Sequence, residues 1–523
     1  MPTSSLVDTE KLRTHNALVL GLWGSVCLLV SSWVLGTIPQ VVQLQFQWIM
    51  SIRQFLPLTF FMVLLGIFGA ILHVIGWARL ATSIKNWDTT STKVIRRAAM
   101  LWTIPLFFSV PMFSNDVFAY ISQGRLMQAG YDPYNTGISV LDGWRSQGVS
   151  EIWSESVTPY GPLFLAFERI IVIGTNDNIV LSLLAFKILA ALGIGLCYYF
   201  IPKVAKQNGF NEAKAIWLTV ANPLFSFAFM ISLHNDSLML GLLIGGIYFF
   251  QDKRRVLGLL FVSASIAIKP ITVLTLPFLG IMWARQINPI PTAGLQIKIW
   301  AYTAAIGMVP VVIFGMLIGL YPGWIKAFAT PGQVFNFYAP VSYLSWATGA
   351  IELVLGGSGQ VGPAIVKGIF SLITVLLILR LIFMNSTHRT ILQRMTIAFG
   401  VTVAFSPVIY GWYILWVVLL FAISVEHNDK YVLPLIYLSV FYSIAPFAEP
   451  MDVSVIVDGL GIIRITAVIA MFLSCYWLLI KSESMQRLYR FERAQSRALE
   501  YTNRFEETKL PNPLSSAKVV RYD

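Results

Sequence analysis

Charge is scarce in this chain. Asp, Glu, Lys and Arg make up only 12% of its 523 residues, against 56% hydrophobic. A soluble protein of this length needs roughly twice that charge to cover its surface. That shortage excludes a soluble globular class and leaves an all-α polytopic membrane protein, because apolar runs of about 20 residues suit helices and not barrel strands. Cysteine is nearly missing too. Cys27, Cys197 and Cys475 all lie inside apolar runs, so they read as inert buried thiols with no disulfide or metal pattern. No cleavable signal peptide is expected, since the run 17–36 is long enough to span and follows Lys11 and Arg13. No soluble domain and no internal repeat stands out.

The net charge of +12 does not point to nucleic acid. In a membrane protein, basic residues collect in cytoplasmic loops and beside anionic headgroups. With the N-terminus inside, spans at 17–36, 55–78 and 98–113 place Arg79, Lys85, Lys93, Arg96 and Arg97 inside and the loop after Phe113 outside. Keeping Lys203–Lys214 inside requires Pro162–Gly174, short and carrying Glu168 and Arg169, to be an interfacial helix with 179–202 as the next span. The runs 256–268 and 271–283 are taken as two limbs around Lys269-Pro270, which keeps the later basic loops inside; one kinked span would reverse everything downstream. The result is about 13–14 helices in a membrane domain over 1–480. External loops lie at 114–178 and 321–359. A cytoplasmic tail over 481–523 is amphipathic and then disordered, so both termini are inside.

Polar residues then gather on one side. Asp116 stands within a residue or two of the end of an apolar run, where an ionisable group is expensive unless compensated. His234-Asn235-Asp236, Lys269 and the cluster Tyr410, Trp412 and Tyr413 fall on the same outer face. An outer site excludes direct use of cytoplasmic nucleotide sugars and suits a lipid-linked donor. Transfer from a sugar phosphate needs a base for the acceptor hydroxyl and a cation for the departing phosphate. Asp116 and Lys269 are candidates for these roles, with Lys187 and Arg464 as alternative phosphate cations and Arg380 at the inner leaflet. Asn115, Tyr120, Gln123, Tyr131, Asp132, Tyr134 and Tyr160 are candidate sugar or acceptor contacts, with His234, Asn235, Asp236 and the aromatic cluster. Plainer readings stand beside these: a helix cap for Asp116, a polar turn for His234–Asp236, headgroup snorkelling for Lys269 and interfacial belt residues for the aromatics.

The segments Asp116-Val-Phe-Ala-Tyr120, Gln123-Gly-Arg125, Ala129-Gly-Tyr-Asp-Pro-Tyr134 and Thr158-Pro-Tyr-Gly-Pro-Leu163 resemble the first external loop of the GT-C glycosyltransferases. Leu233-His-Asn-Asp-Ser-Leu-Met239, Ala267-Ile-Lys-Pro270 and Ser406-Pro-Val-Ile-Tyr-Gly-Trp412 extend the likeness. The nearest resemblance is to actinobacterial polyprenyl-phosphomannose-dependent α-(1→6)-mannosyltransferases of lipomannan synthesis. It implies a GT-C-like bundle in the plasma membrane and a juxtamembrane helix after the first loop. It also implies inverting transfer from a polyprenyl-phosphate sugar to a mannan or glycolipid acceptor, with Asp116 as base. The chain has Asn115-Asp116 where some relatives have Asp-X-Asp, so no metal is indicated, although a divalent ion is compatible with the chemistry; no other cofactor is implied. A polyprenyl-phosphoarabinose donor and a lipid-linked sugar flippase remain the alternatives.

Overall fold

The computed structural model describes residues 3–84, 87–320, 323–328, 335–384, 389–425, 430–449 and 461–509. Among them every regular element is helical, and the protein is an all-α polytopic membrane protein. Seven helices are long and apolar enough to cross a bilayer, eight if the bent pair Glu212–Leu218 and Pro223–Ile231 is one span. The expected 13–14 crossings are reached only if the five shorter apolar helices, and then Thr89–Phe107, also cross. Part of the expected loop 321–359 and of the tail beyond 509 lies outside the described residues.

Local chemistry sets the helix limits. Asp88, Asn178 and Asn211 each accept a backbone N–H in the first turn of the helix that follows (2.9, 3.0 and 2.9 Å), satisfying donors that a helix start leaves free. Thr390 and Gln393 form a reciprocal capping box. Between Thr3–Leu35 and Leu56–Ser83, glycines let two backbones touch. A Cβ on Gly24 would stand 2.6 Å from the Gly69 carbonyl oxygen, and one on Gly69 2.8 Å from that of Gly24. Small residues at such crossings are how membrane helices gain packing without a hydrophobic drive.

Lys269-Pro270 is a true break. The helix Arg255–Ile268 stops there, a 3₁₀ turn covers Pro270–Thr275, and Leu276–Ile287 follows. Arg255 Nε donates to Gln286 Oε1 at 2.9 Å, so the start of the first limb and the end of the second share one end of the bundle. Lys269 is thereby left at the other.

The tail helix, Glu483–Lys509, forms as expected, but its apolar side faces protein instead of lipid. Met485, Leu488 and Tyr489 are buried, Tyr489 packs on Tyr437 with ring centres 4.5 Å apart, and Glu492 pairs with Lys214 at 3.0 Å. The apolar positions that suggested a leaflet thus cover one end of the bundle. Nearby, Trp77 and Trp217 stack at 4.7 Å, and each indole N–H donates to the other's backbone carbonyl (2.9 and 3.1 Å).

Pro162–Gly174 is a helix with the expected limits. At 1.5 Å per residue it is about 20 Å long, short of a hydrocarbon core of about 30 Å. It lies against Asp116–Gln128 at Gly124, where a Cβ would meet the Glu168 carbonyl oxygen at 2.6 Å. Glu168 is fully buried and neither carboxyl oxygen has a hydrogen-bond partner among the described residues. Burial lifts it well above the ordinary carboxyl range, which favours its neutral form. Because the folded pKa is raised, ionisation costs stability as the pH climbs toward it. Glu168→Gln, a neutral isostere, should therefore leave the thermal midpoint and activity near wild type. A large loss of either would show that the ionised form is required.

Candidate active site

Four segments remote in sequence bring their polar groups together. The first follows Thr89–Phe107. Phe113 adopts a left-handed backbone, φ 73°, which costs a non-glycine residue about 1–2 kcal/mol and reverses the chain into the next helix. Thr37 Oγ1 donates to Asn115 Oδ1 at 2.5 Å and the Asp116 N–H donates to Ser114 Oγ at 3.2 Å. Asp116 then opens Asp116–Gln128, where the helix dipole favours a carboxylate. The second segment repeats the device: Leu233 is left-handed, φ 59°, and Asp236 opens Asp236–Gln251. In the third, Lys269 is extended (φ −144°, ψ 115°), as the residue before a proline must usually be. The fourth is Tyr410–Tyr413, at the start of Gly411–Ser424.

His234 Nδ1 lies 3.2 Å from Asp116 Oδ2. Its ring stacks on Trp412 with centres 3.5 Å apart, and Tyr410 also stacks on Trp412 at 4.4 Å and 9°. Lys269 Nζ meets Asp236 Oδ1 and Oδ2 at 3.0 and 2.9 Å, and Trp416 Nε1 donates to Asp236 Oδ1 at 2.7 Å. The Lys269 ammonium also stands 5.4 Å from the rings of Tyr413 and Trp416, within cation–π range. Backbone holds this segment to the first loop: the Gly161 N–H donates to the Ile268 carbonyl at 2.9 Å.

Two cavities share a wall at Asp116, Trp153, Tyr410 and Trp412. A narrow one, about 50 Å³, is completed by Gln123, Tyr160, Lys269 and Tyr413, among others. A wider one, about 300 Å³, is bounded by Thr37, Ser114, Asn115, Ser150 and Glu449. Burial alone would raise the Asp116 carboxyl. The adjacent His234 and the positive charge of Lys269 outweigh it and hold the group below its ordinary value, so Asp116 stays ionised at neutral pH and can accept a proton from a hydroxyl in either cavity.

The expected residues separate into layers. Asp116, Asn115, Gln123, Tyr160, Lys269, Tyr410, Trp412 and Tyr413 line the cavities. His234, Asn235 and Asp236 do not. They are buried, with His234 against Asp116 and Asp236 against Lys269. Tyr120 is buried too, edge-on to Tyr160 and Phe164. Tyr134 is enclosed and donates its hydroxyl to the Tyr160 carbonyl at 2.9 Å. Asp132 is spent on the turn, accepting from the Tyr134 N–H at 2.9 Å and from Asn135, and Tyr131 points outward, 46% exposed.

Lys187 is withdrawn from the phosphate role. Its three ammonium hydrogens go to the carbonyls of Leu106 and Met230 (3.2 and 2.8 Å) and to Ser109 Oγ (3.0 Å), tying two helix ends together. Arg464 sits exposed on Ile462–Tyr476 and lines neither cavity. Residues missed in the sequence include Thr37, Trp153, Trp416 and Glu449. Only Glu449 carried a signal: like Asp116, it is a carboxylate closing an apolar run. The others needed distant segments brought into contact.

Residues 18–285 match the model of a family described as alpha-(1->6)-mannopyranosyltransferase, N-terminal domain. The chain is similar to a probable alpha-(1->6)-mannopyranosyltransferase of Mycolicibacterium smegmatis, 27% identical over 80% of each chain. It is 30% identical to alpha-(1->6)-mannopyranosyltransferase A of Corynebacterium glutamicum over 51% of this chain and 56% of the relative. With alpha-(1->6)-mannopyranosyltransferase A of Mycobacterium tuberculosis it shares 27% identity over 66% and 68%. No solved structure matches.

Proposed function

The chain belongs to the alpha-(1->6)-mannopyranosyltransferase family, and from that premise we propose that it moves mannose from a polyprenyl-phosphate carrier to a mannan or lipomannan hydroxyl, with inversion, at the outer face of the plasma membrane. The protein is a glycosyltransferase. Mannose and the α-(1→6) linkage are supported by the names of its relatives. The lipid carrier is supported by the cation that Lys269 presents in the wall of one cavity, inside a membrane domain.

The observation that carries the reading is the place of Asp116, in the partition between a cavity with Lys269 in its wall and one without it. An inverting transfer needs the acceptor hydroxyl and the leaving phosphate on opposite faces of the sugar, by analogy with inverting hydrolysis. In the proposed step the Asp116 carboxylate takes the acceptor's hydroxyl proton as that oxygen attacks the anomeric carbon. The new C–O bond forms while the bond to the phosphate oxygen breaks, and inversion to an α product requires a β-linked donor. Charge grows on the departing polyprenyl phosphate. Lys269, with two of its three N–H groups on Asp236, has one left for a phosphate oxygen. Orientation is supported by the basic residues at the far end of the bundle, where Arg13, Arg79 and Arg487 surround one polar recess.

Purified protein given polyprenyl-phosphate-β-mannose and an α-(1→6)-linked dimannoside should release polyprenyl phosphate and lengthen the acceptor by one α-(1→6) mannose, read by mass and by NMR linkage analysis. Preference for the arabinose carrier would reassign the donor. Movement of intact carrier across a vesicle without a new glycosidic bond would overturn the transferase reading.

A further inference from the structure

The two cavities that meet at Asp116 differ in chemistry, and the difference says what each can hold. Lys269 faces the narrow one. Among the described residues, the lining of the wider one has no lysine or arginine and has two carboxylates, Asp116 and Glu449. A phosphate would be repelled there. The rest of its lining combines aromatic rings (Phe113, Trp153, Tyr410, Trp412) and small hydrogen-bonding groups (Thr37, Ser114, Asn115, Ser150) with the apolar Leu35, Met112 and Ile152. That combination suits a neutral polyhydroxylated ring, which stacks on aromatic faces and donates hydroxyls to carboxylate oxygens.

Glu449 is the group in that wall without an assignment. It follows the turn Ala445–Ala448, its N–H bonded to the Pro446 carbonyl at 3.1 Å, and its carboxyl stands near the Tyr338 hydroxyl. It also borders the aromatic recess behind Trp412. Tyr410 senses both acids: burial first, then the negative charges of Asp116 and Glu449, push its hydroxyl's pKa up, so one ring stands near the two carboxylates. A carboxylate has about four acceptor sites, and a vicinal pair of sugar hydroxyls can use two of them.

We infer that Glu449 is the acceptor-recognition residue, binding hydroxyls of the acceptor's terminal mannose in the wide cavity so that the reacting hydroxyl lies against Asp116. This rests on the mannosyl-transfer reading and assigns within it a residue and a side of the site. Burial raises the Glu449 carboxyl to about 7. Hydroxyl donors from a bound sugar stabilise its ionised form, so the energy of those bonds goes into holding acceptor.

The test is steady-state transfer by wild type and Glu449→Gln, varying donor and acceptor separately, with acceptors lacking the 2-, 3- or 4-hydroxyl. Loss of a charge-assisted hydrogen bond should raise the acceptor KM by roughly 10- to 100-fold, with donor KM and kcat at saturating acceptor little changed. Wild type should discriminate against at least one deoxy acceptor, and Glu449→Gln should lose that discrimination. Ser150→Trp, which narrows the same cavity from its loop without altering Glu449, should also raise acceptor KM and spare donor KM, so the side assignment is testable even if Glu449→Gln folds poorly. The inference is overturned if both variants keep the wild-type acceptor KM, if the change falls on donor KM, or if Glu449→Gln keeps full discrimination. Failure of wild type to transfer mannose at all would instead remove the reading beneath it.

Discussion

Asp116→Asn should lower kcat for mannosyl transfer by about 10²–10⁴, the range ascribed to a positioned general base, while acceptor KM moves far less. The substitution keeps the shape and the helix N-terminal position of Asp116 but replaces its basic carboxylate with an amide too weakly basic to take the proton. The 3.2 Å neighbour His234 stays stacked on Trp412, so the partition between the cavities persists. Transfer of labelled mannose by purified, monodisperse variant is the measurement, and turnover within a fewfold of wild type would sink the assignment. The pH profile supplies a second reading. Burial opposes ionisation of Asp116, but His234 and Lys269 prevail and hold its pKa below the ordinary 3.8. Its ionised form therefore contributes stability that persists through the neutral range and is lost only as pH falls through that lowered value. The acid limb of kcat due to Asp116 should lie below the usual carboxyl range.

Much of the site was legible because membrane chemistry makes polar residues conspicuous. Asp116 and Lys269 stood out because apolar runs surround them, and the structure gathers both with His234, Asp236 and Trp412, drawn from four segments. Pro270 foretold the break that leaves Lys269 at the site. What periodicity and composition could not supply was depth. His234, Asn235 and Asp236 were as polar as any sugar-binding turn, yet all three are buried and line neither cavity, His234 stacked on Trp412 and Asp236 paired with Lys269. Lys187 misled for the converse reason: a lone cation in a span looks functional until three nearby oxygens account for it. The tail helix shows the same limit. An apolar stripe announces that something covers it, and only tertiary contacts reveal that Lys214 and Tyr437 lie on that side. Glu449 was overlooked although the signal that marked Asp116 marked it equally.

Lys269 and Asp236 allow structure and chemistry to be separated. Asp236 is essentially sealed, its side chain 1% exposed, while Lys269 keeps 13% at the cavity. Removing the cation alone leaves a buried carboxylate without its charge partner, which typically costs about 3–5 kcal/mol. Lys269→Met should therefore lower the thermal midpoint and also abolish transfer, and neither loss alone shows what the lysine does. Lys269→Met with Asp236→Asn removes both charges and keeps a group that can accept from the Trp416 indole. Stability should return most of the way, as buried pairs replaced together are often nearly neutral. Transfer should not return, because nothing then offsets charge on the leaving phosphate. A double variant that is stable and inactive separates the phosphate role from the structural one. If it recovers substantial turnover, Lys269 serves only to neutralise Asp236, and the cation for the phosphate must be sought elsewhere.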